Sequence, residues 1–294
     1  MITEEPPPCW TRNDCRQDLD DCLTNVLEAR SAARRETTPP GVIVETLFKG
    51  LNCLMNARRS TYALRGRPAR DIPVLCKLLT VLPPDDQQWL MGQHHLAALA
   101  SFSSLIETNL PLGDHRPTER HETFRDAYKA GKDPIVTLNA LAAFIWTIRS
   151  NSLHGGKTAR GPDEMRTERN RQVSLVVLPV LCDILDVLLK HPSQRLACYG
   201  TLRPGEFRHD LLSGLRGTWT DGHVRGVLTN WNGYPRLRWS NSGGEVPVRI
   251  FTSEQLVDVW DQIDATEGRA YLRSLIPASV GGSTVITSCY LADS

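Results

Sequence analysis

The chain has 294 residues, more than a single domain usually contains, so two domains are expected. Hydrophobic residues make up 40% of it and charged residues 23%, a composition typical of a globular protein that argues against extensive disorder. The formal net charge is +1, so the overall charge gives no indication of binding to nucleic acid or to a membrane. Any basic binding surface must therefore be local.

The cysteines and the N-terminus indicate the class of protein. None of the eight cysteines forms a Cys-x-x-Cys pair, and the histidines supply no matching spacing, so neither a metal site nor a cofactor is predicted. Residues 1–8 contain acids and a proline run without an apolar core, so no signal peptide is expected. No apolar stretch is long enough to span a bilayer. The predicted location is the reducing cytoplasm, with no membrane partner.

The first 191 residues have apolar positions at a helical period almost throughout. Asp133-Pro134 is a good helix start, and the helix it opens is predicted to run through Ile148. A last, long helix is predicted from Glu164 to Lys190, with a kink at Pro179. Residues 1–191 are therefore predicted to form an all-α helical bundle.

The pattern changes after residue 193, where short apolar runs alternate with turns that contain glycine or asparagine. The predicted strands are Arg195–Tyr199, Val224–Leu228, Arg236–Trp239, Val246–Phe251 and Val285–Tyr290. One helix is predicted over Ser253–Asp264, with Ser253 as its N-cap. Residues 192–294 are therefore predicted to form a small α+β domain dominated by sheet.

Four motifs occur in this second domain in a fixed order. They are Tyr199-Gly200-Thr201-Leu202-Arg203-Pro204-Gly205, Val224-Arg225-Gly226-Val227-Leu228, Gly233-Tyr234-Pro235 and Asp264-Ala265-Thr266-Glu267-Gly268-Arg269-Ala270-Tyr271-Leu272-Arg273. Together they resemble the gamma-glutamylcyclotransferase-like superfamily over the whole domain. The resemblance implies a small mixed barrel; some members release 5-oxoproline from gamma-glutamyl compounds, and others have no demonstrated activity. Thr266 departs from the pattern, since an aromatic residue often precedes the family's glutamate.

The resemblance makes Glu267 the expected acid/base residue, just past the predicted helix. Cyclisation needs a base for the α-ammonium proton and an acid for the leaving amine, and one carboxyl with a pKa raised by burial can serve as both. The glycine turn after Tyr199 is expected to offer N–H groups to a substrate carboxylate. The expected ligand-binding residues are Tyr199, Gly200, Thr201, Leu202, Tyr271 and Tyr290. A solvated surface glutamate and an ordinary tight turn are the alternative interpretations.

A second segment, Ile148–Lys157, resembles the Arg-x(4–6)-His motif of HEPN domains through Arg149 and His154. HEPN domains are helical bundles, often dimeric, and many are metal-independent ribonucleases. The resemblance therefore implies an RNA partner and a homodimer formed through the helical domain. One departure is Ser150, because the family commonly has a polar residue, often Asn, directly after the Arg, and here Asn151 comes one position later.

The implied chemistry assigns a role to each residue. His154 would take the proton of a ribose 2′-hydroxyl, Arg149 would hold the phosphate, and Asn151 could orient the backbone. Arg149 and His154 would point about 140° apart on a straight helix. They can converge only if the helix ends near Leu153, or across a dimer. The residues expected to contact the RNA backbone are Lys157, Arg160, Arg58 and Arg59. Otherwise His154 lies in a C-terminal turn and Arg149 pairs with a surface acid.

Three hypotheses follow for the whole chain. The first is a metal-independent endoribonuclease of a defence or toxin–antitoxin kind, whose C-terminal domain binds or processes a gamma-glutamyl-type ligand. The second is a gamma-glutamyl cyclotransferase that forms 5-oxoproline, with the helical bundle serving dimerisation or docking. The third is a non-catalytic binding protein.

Overall fold

The computed structural model of the chain describes residues 16–33, 35, 37–59, 71–102, 116–131, 133–153 and 163–292. The chain divides into two compact units, Met1–Leu188 and Leu189–Ser294. Each unit has its own set of buried apolar side chains.

The first unit is helical throughout its described residues. Its helices are α1 (Arg16–Ala33), α2 (Pro40–Arg59), α3 (Asp71–Thr80), α4 (Pro84–Met91), α5 (His94–Ser101), α6 (Arg116–Ala130), α7 (Pro134–Leu153) and α8 (Asp163–Leu188). At the start of α7 the Asp133 carboxylate accepts a hydrogen bond from the N–H of Ile135 at 2.8 Å, which caps the helix. Helices α3 and α6 pack against α7, and α2 packs against α1 and α8. The prediction of a helical N-terminal region is confirmed.

The second unit contains a sheet and two helices. Its strands are β1 (Arg195–Cys198), β2 (Thr218–Trp231), β3 (Tyr234–Trp239), β4 (Gly244–Thr252), β5 (Tyr271–Val280) and β6 (Ser283–Ala292), and its helices are α9 (Asp210–Ser213) and α10 (Leu256–Glu267). The strand order is β3-β2-β4-β1-β6-β5, and β2 also pairs with β5. Five strands therefore close a barrel, and β3 extends β2 as a hairpin.

The barrel is mixed, as predicted, because β1 and β6 are parallel while the other pairs are antiparallel. Neighbouring residues of β1 face opposite sides, as they must in a strand. Ala197 belongs to the cluster with Val224 and Ile276, whereas Leu196 belongs to the cluster with Trp260 of α10. Helix α10 is thereby held against one side of the sheet.

Two features of this unit differ from the predictions. Strand β5 was not predicted, because Pro277 lacks an N–H group and several polar residues interrupt its apolar run. In the structure β5 pairs with β6 along its whole length but with β2 only at Ala278 and Ser279, so position 277 lies at a partly open edge. The helix predicted over Ser253–Asp264 lies three residues later, and Glu267 is its last residue rather than past its end.

Candidate functional site

A small cavity of about 40 Å³ opens in the second unit, beside the end of β1 and the end of α10. It is lined by Ala197, Cys198, Tyr199, Gly200, Thr201, Leu202, Arg208, Tyr234, Pro235, Glu267, Tyr271 and Tyr290. Arg208 and Glu267 are the charged members of this set. The cavity is thus lined by one carboxyl, one guanidinium, several tyrosine rings and a glycine turn.

Glu267 enters the cavity from the C-terminal end of α10. Gly268, with φ of 67°, follows it and ends the helix there. The Glu267 side chain is 8% exposed, and this burial raises the pKa of its carboxyl. The Arg208 guanidinium acts in the opposite direction, with Nη1 3.7 Å from Glu267 Oε1. A buried carboxyl with a raised pKa can both accept and return a proton at the same site.

The turn after β1, residues 200–202, faces the same cavity. Its carbonyl oxygens are engaged: Gly200 accepts from the N–H of Arg203 at 3.2 Å, and Thr201 from the N–H of Arg208 at 3.1 Å. Within the described residues, no main-chain group accepts from the N–H groups of this turn. A side chain at position 200 would bring its Cβ within 2.9 Å of Pro235 Cγ, so the close approach of Pro235 requires glycine. The turn is therefore an open set of N–H donors suited to an anion.

Tyr290 of β6 connects this turn to α10. Its main-chain carbonyl accepts a hydrogen bond from Tyr199 Oη at 2.7 Å, and its own Oη donates to Asp264 Oδ1 at 2.6 Å. Asp264 also accepts two hydrogen bonds from Arg273, at 3.0 and 2.9 Å. Arg273 in turn stacks over the ring of Trp260 at 4.2 Å. The two sides of the cavity are thus tied together by one network.

Burial raises the pKa of the Tyr199 and Tyr290 hydroxyls, so both stay protonated and act as hydrogen-bond donors. Tyr271 lies on the opposite wall, where its Oη donates to the carbonyl of Pro235 at 3.1 Å. Burial, followed by the nearby Glu267 carboxyl, raises the pKa of Tyr271 as well. The tyrosines therefore contribute shape and hydrogen-bond donors rather than charge.

The structure brings together every residue that the sequence associated with a gamma-glutamyl ligand. The six predicted ligand-binding residues and Glu267 all line the cavity, although their chemical roles stay predictions. Sequence reasoning missed five lining residues: Ala197, Cys198, Arg208, Tyr234 and Pro235. Tyr234 and Pro235 belong to the Gly233-Tyr234-Pro235 motif, so that motif was a usable signal. Arg208 lies in an irregular loop, where no local pattern marks it.

The predicted ribonuclease residues are described only in part. Arg149 lies near the end of α7, with its guanidinium 4.2 Å from the centre of the Trp146 ring. Its Nε is buried and has no hydrogen-bond partner among the described residues. The remaining predicted positions lie outside the described residues, either entirely or in their side chains: Asn151, His154, Lys157, Arg160, Arg58 and Arg59. The ribonuclease site therefore stays a prediction.

No group of three or more His, Cys, Asp or Glu side chains within the described residues lies close enough to share a metal ion. None of the helices in the described ranges has both the length and the apolar character needed to cross a membrane.

Comparison with known proteins identifies the second unit. Residues 196–294 match the family model described as gamma-glutamyl cyclotransferase, AIG2-like, and form a domain of that kind. The match covers about a third of the chain, and no family match supports a HEPN identity for the helical region. No curated protein matches the chain.

Several solved structures resemble part of the chain. An uncharacterized protein from Pyrococcus horikoshii is 21% identical over 34% of this chain and 78% of its own, with a TM-score of 0.27. An AIG2-like protein from Mus musculus is 20% identical over 34% of this chain and 76% of its own, with a TM-score of 0.28. YkqA from Bacillus subtilis is 20% identical over 34% of this chain and 36% of its own, with a TM-score of 0.29. These low identities and TM-scores carry no argument about function.

Proposed function

We propose that the AIG2-like domain cyclises a gamma-glutamyl compound to 5-oxoproline and releases an amine. One observation carries the proposal: Glu267, with its buried carboxyl, lines the same cavity as the 200–202 turn, whose N–H groups have no main-chain acceptor among the described residues. A gamma-glutamyl group bears a carboxylate and an ammonium on one carbon. The turn suits the carboxylate, and Glu267 suits the ammonium, so the cavity complements that end of the substrate.

The reaction balances without water or a cofactor. The α-amino nitrogen attacks the γ-carbonyl carbon, so a carbon–nitrogen bond forms in the ring while the original amide bond breaks. The α-ammonium loses one proton to Glu267, which returns it to the leaving nitrogen and so regains its own protonation state. The ring nitrogen loses a second proton as the lactam forms, and the basic released amine takes it up and leaves as an ammonium. The raised pKa of Glu267 supports both transfers, because it narrows the difference in pKa between the Glu267 carboxyl and the amines.

The test is release of 5-oxoproline from a panel of gamma-glutamyl amino acids and gamma-glutamyl amines, measured by mass spectrometry. Glu267→Gln should lower kcat by at least about 100-fold, the usual effect of losing a general acid/base. Glu206→Gln is the matched control, because Glu206 does not line the cavity, pairs with Arg203 at 3.1 Å and is exposed. It should react like the wild type. A wild type that forms no 5-oxoproline from any member of the panel would contradict the proposal.

The non-catalytic interpretation uses the same cavity and predicts a different result. It expects the protein to bind 5-oxoproline or a gamma-glutamyl compound without converting it. RNA cleavage by the helical unit has no comparable support, because Arg149 is the one predicted ribonuclease residue whose side chain is among those described. That hypothesis, and a role of the bundle in dimerisation or docking, stay predictions.

A further inference from the structure

We propose that Arg208 is a specificity-determining residue that selects gamma-glutamyl compounds whose leaving amine itself carries a carboxylate. Such a compound is a gamma-glutamyl-α-amino acid, in contrast to a gamma-glutamyl alkylamine. The inference rests on the proposed function of the cavity and adds to it the class of leaving group.

The first argument is the contrast between two arginines of one loop. Arg203 is neutralised: its Nη2 lies 3.1 Å from Glu206 Oε1, and its Nε donates to the carbonyl of Gly200. Arg208 lines the cavity, and its nearest carboxylate oxygen, Glu267 Oε1, is 3.7 Å away, beyond hydrogen-bond distance. Arg208 therefore presents a charge to the cavity that no hydrogen-bonded carboxylate neutralises.

The second argument is the set of donors that Arg208 leaves open. Within the described part of the chain, the hydrogen bond of its side chain runs from Nη1 to the carbonyl of Thr266, at 3.5 Å. The N–H groups on Nε and Nη2 are left for a ligand. The side chain is 27% exposed, and its main-chain N–H is fixed to Thr201 at 3.1 Å. A planar guanidinium held in this way favours a carboxylate with two parallel hydrogen bonds.

The third argument is the arrangement of the two anion-binding elements around one carboxyl. Glu267 must reach both the attacking nitrogen and the leaving nitrogen. In a gamma-glutamyl-α-amino acid each of these nitrogens has a carboxylate one carbon away. The cavity offers two elements for them, the N–H groups of the 200–202 turn and the Arg208 guanidinium. A gamma-glutamyl alkylamine supplies one carboxylate only and leaves the second element without its anion.

The competing explanation is that Arg208 serves only as a counter-ion for Glu267. A counter-ion would change the proton affinity of Glu267 for every substrate alike. A carboxylate-binding residue changes the preference between two substrates that differ in that carboxylate. The ratio of the two rates therefore separates the explanations, because any effect on Glu267 cancels in it.

The experiment uses the full chain with gamma-glutamylalanine and gamma-glutamylethylamine, which differ only in the carboxylate of the leaving amine. The wild type should show a kcat/KM about 10- to 100-fold higher for gamma-glutamylalanine, the range expected for a charge-assisted hydrogen-bonded pair. In Arg208→Gln that ratio should fall close to one, and in Arg208→Lys to an intermediate value. In Arg203→Gln, the control from the same loop, the ratio should equal that of the wild type.

The outcomes distinguish this inference from the function on which it rests. If the wild type forms 5-oxoproline from no member of the gamma-glutamyl panel, the proposed function fails, and the inference fails with it. If other members react but neither of these two does, the inference alone is overturned. If both substrates react but the wild-type ratio is near one, or if Arg208→Gln and Arg208→Lys keep the wild-type ratio, the inference alone is overturned. Thermal midpoints of the variants identify one that does not fold, and the other Arg208 variant then decides the result.

Discussion

At Glu267, burial and a neighbouring charge act on the same carboxyl in opposite directions. Burial is the larger effect and raises its pKa, while Arg208 at 3.7 Å lowers it without cancelling that rise. In the unfolded chain the carboxyl returns to its usual pKa of 4.5. Between 4.5 and the raised value, the folded protein therefore holds a proton that the unfolded chain has lost. Stability consequently falls as the pH rises through this window.

We therefore expect Glu267→Gln, which removes this titration, to become more stable relative to the wild type as the pH rises above 4.5. The free energy of unfolding of the variant minus that of the wild type should be lowest below pH 4.5 and should level off above the raised pKa. Urea unfolding of both proteins at a series of pH values measures it. If Glu267→Gln instead becomes less stable relative to the wild type as the pH rises, the assignment of burial as the main cause is contradicted.

At the scale of elements, three parts of the chain must meet for the cavity to exist. The turn after β1 is held by the hydrogen bond from Tyr199 to the main-chain carbonyl of Tyr290. The last turn of α10 is held by Asp264, through the Tyr290 hydroxyl and Arg273. Asp264 lies three residues before Glu267, so the two share one side of the helix. The position of Glu267 is thus set by β6 and β5 rather than by the helix alone.

Tyr290→Phe separates these contacts, because it removes the hydroxyl that reaches Asp264 and keeps the carbonyl that Tyr199 needs. We expect a loss of about 1.5–3 kcal/mol in the free energy of unfolding, the range for a hydrogen bond to a charged acceptor. We also expect kcat to fall about tenfold, because a loosened α10 places Glu267 less accurately. Steady-state kinetics and urea unfolding measure these effects. Tyr128→Phe in the helical unit is the control for a lost phenol hydroxyl. An unchanged kcat in Tyr290→Phe would refute the role of the Tyr290 hydroxyl in positioning Glu267.

At the scale of the whole molecule, the chain consists of two compact units, and the cavity belongs entirely to the second. The family match covers the second unit alone, so the function proposed for it says nothing about the first. A ligand stabilises mainly the residues that it contacts and the cooperative unit in which they lie.

Hydrogen exchange with 5-oxoproline tests this division. We expect the ligand to slow amide exchange in peptides that cover residues 199–209 and 264–271, because the turn and the end of α10 line the cavity in which it is proposed to bind. Peptides from residues 16–153 should exchange as in the free protein. Glu267→Gln serves as a comparison, because it keeps the turn and should retain protection there. Protection that extends into the helical unit would show that the two units respond together.

The sequence alone determined the local features of this protein. Apolar residues at a helical period predicted the helical region, and the family resemblance carried by the four motifs implied a mixed barrel with Glu267 and the Tyr199 turn in one site. The helical prediction succeeds because periodicity depends on neighbours a few residues apart. The barrel and its site came from the resemblance and not from a local rule. The HEPN resemblance is equally local, but a short motif does not reveal which surfaces meet, and it stays a prediction.

Only the tertiary structure decided the features that depend on residues far apart in the chain. Strand β5 forms despite Pro277 because β6 pairs with it along its whole length, while β2 pairs with it only beyond that residue, at Ala278 and Ser279. The pKa of Glu267 is raised because the fold buries its side chain, and Arg208 counts as part of the site because an irregular loop returns it to within 3.7 Å of Glu267. Burial, pairing and charge proximity arise from contacts between distant segments, and no local pattern encodes them.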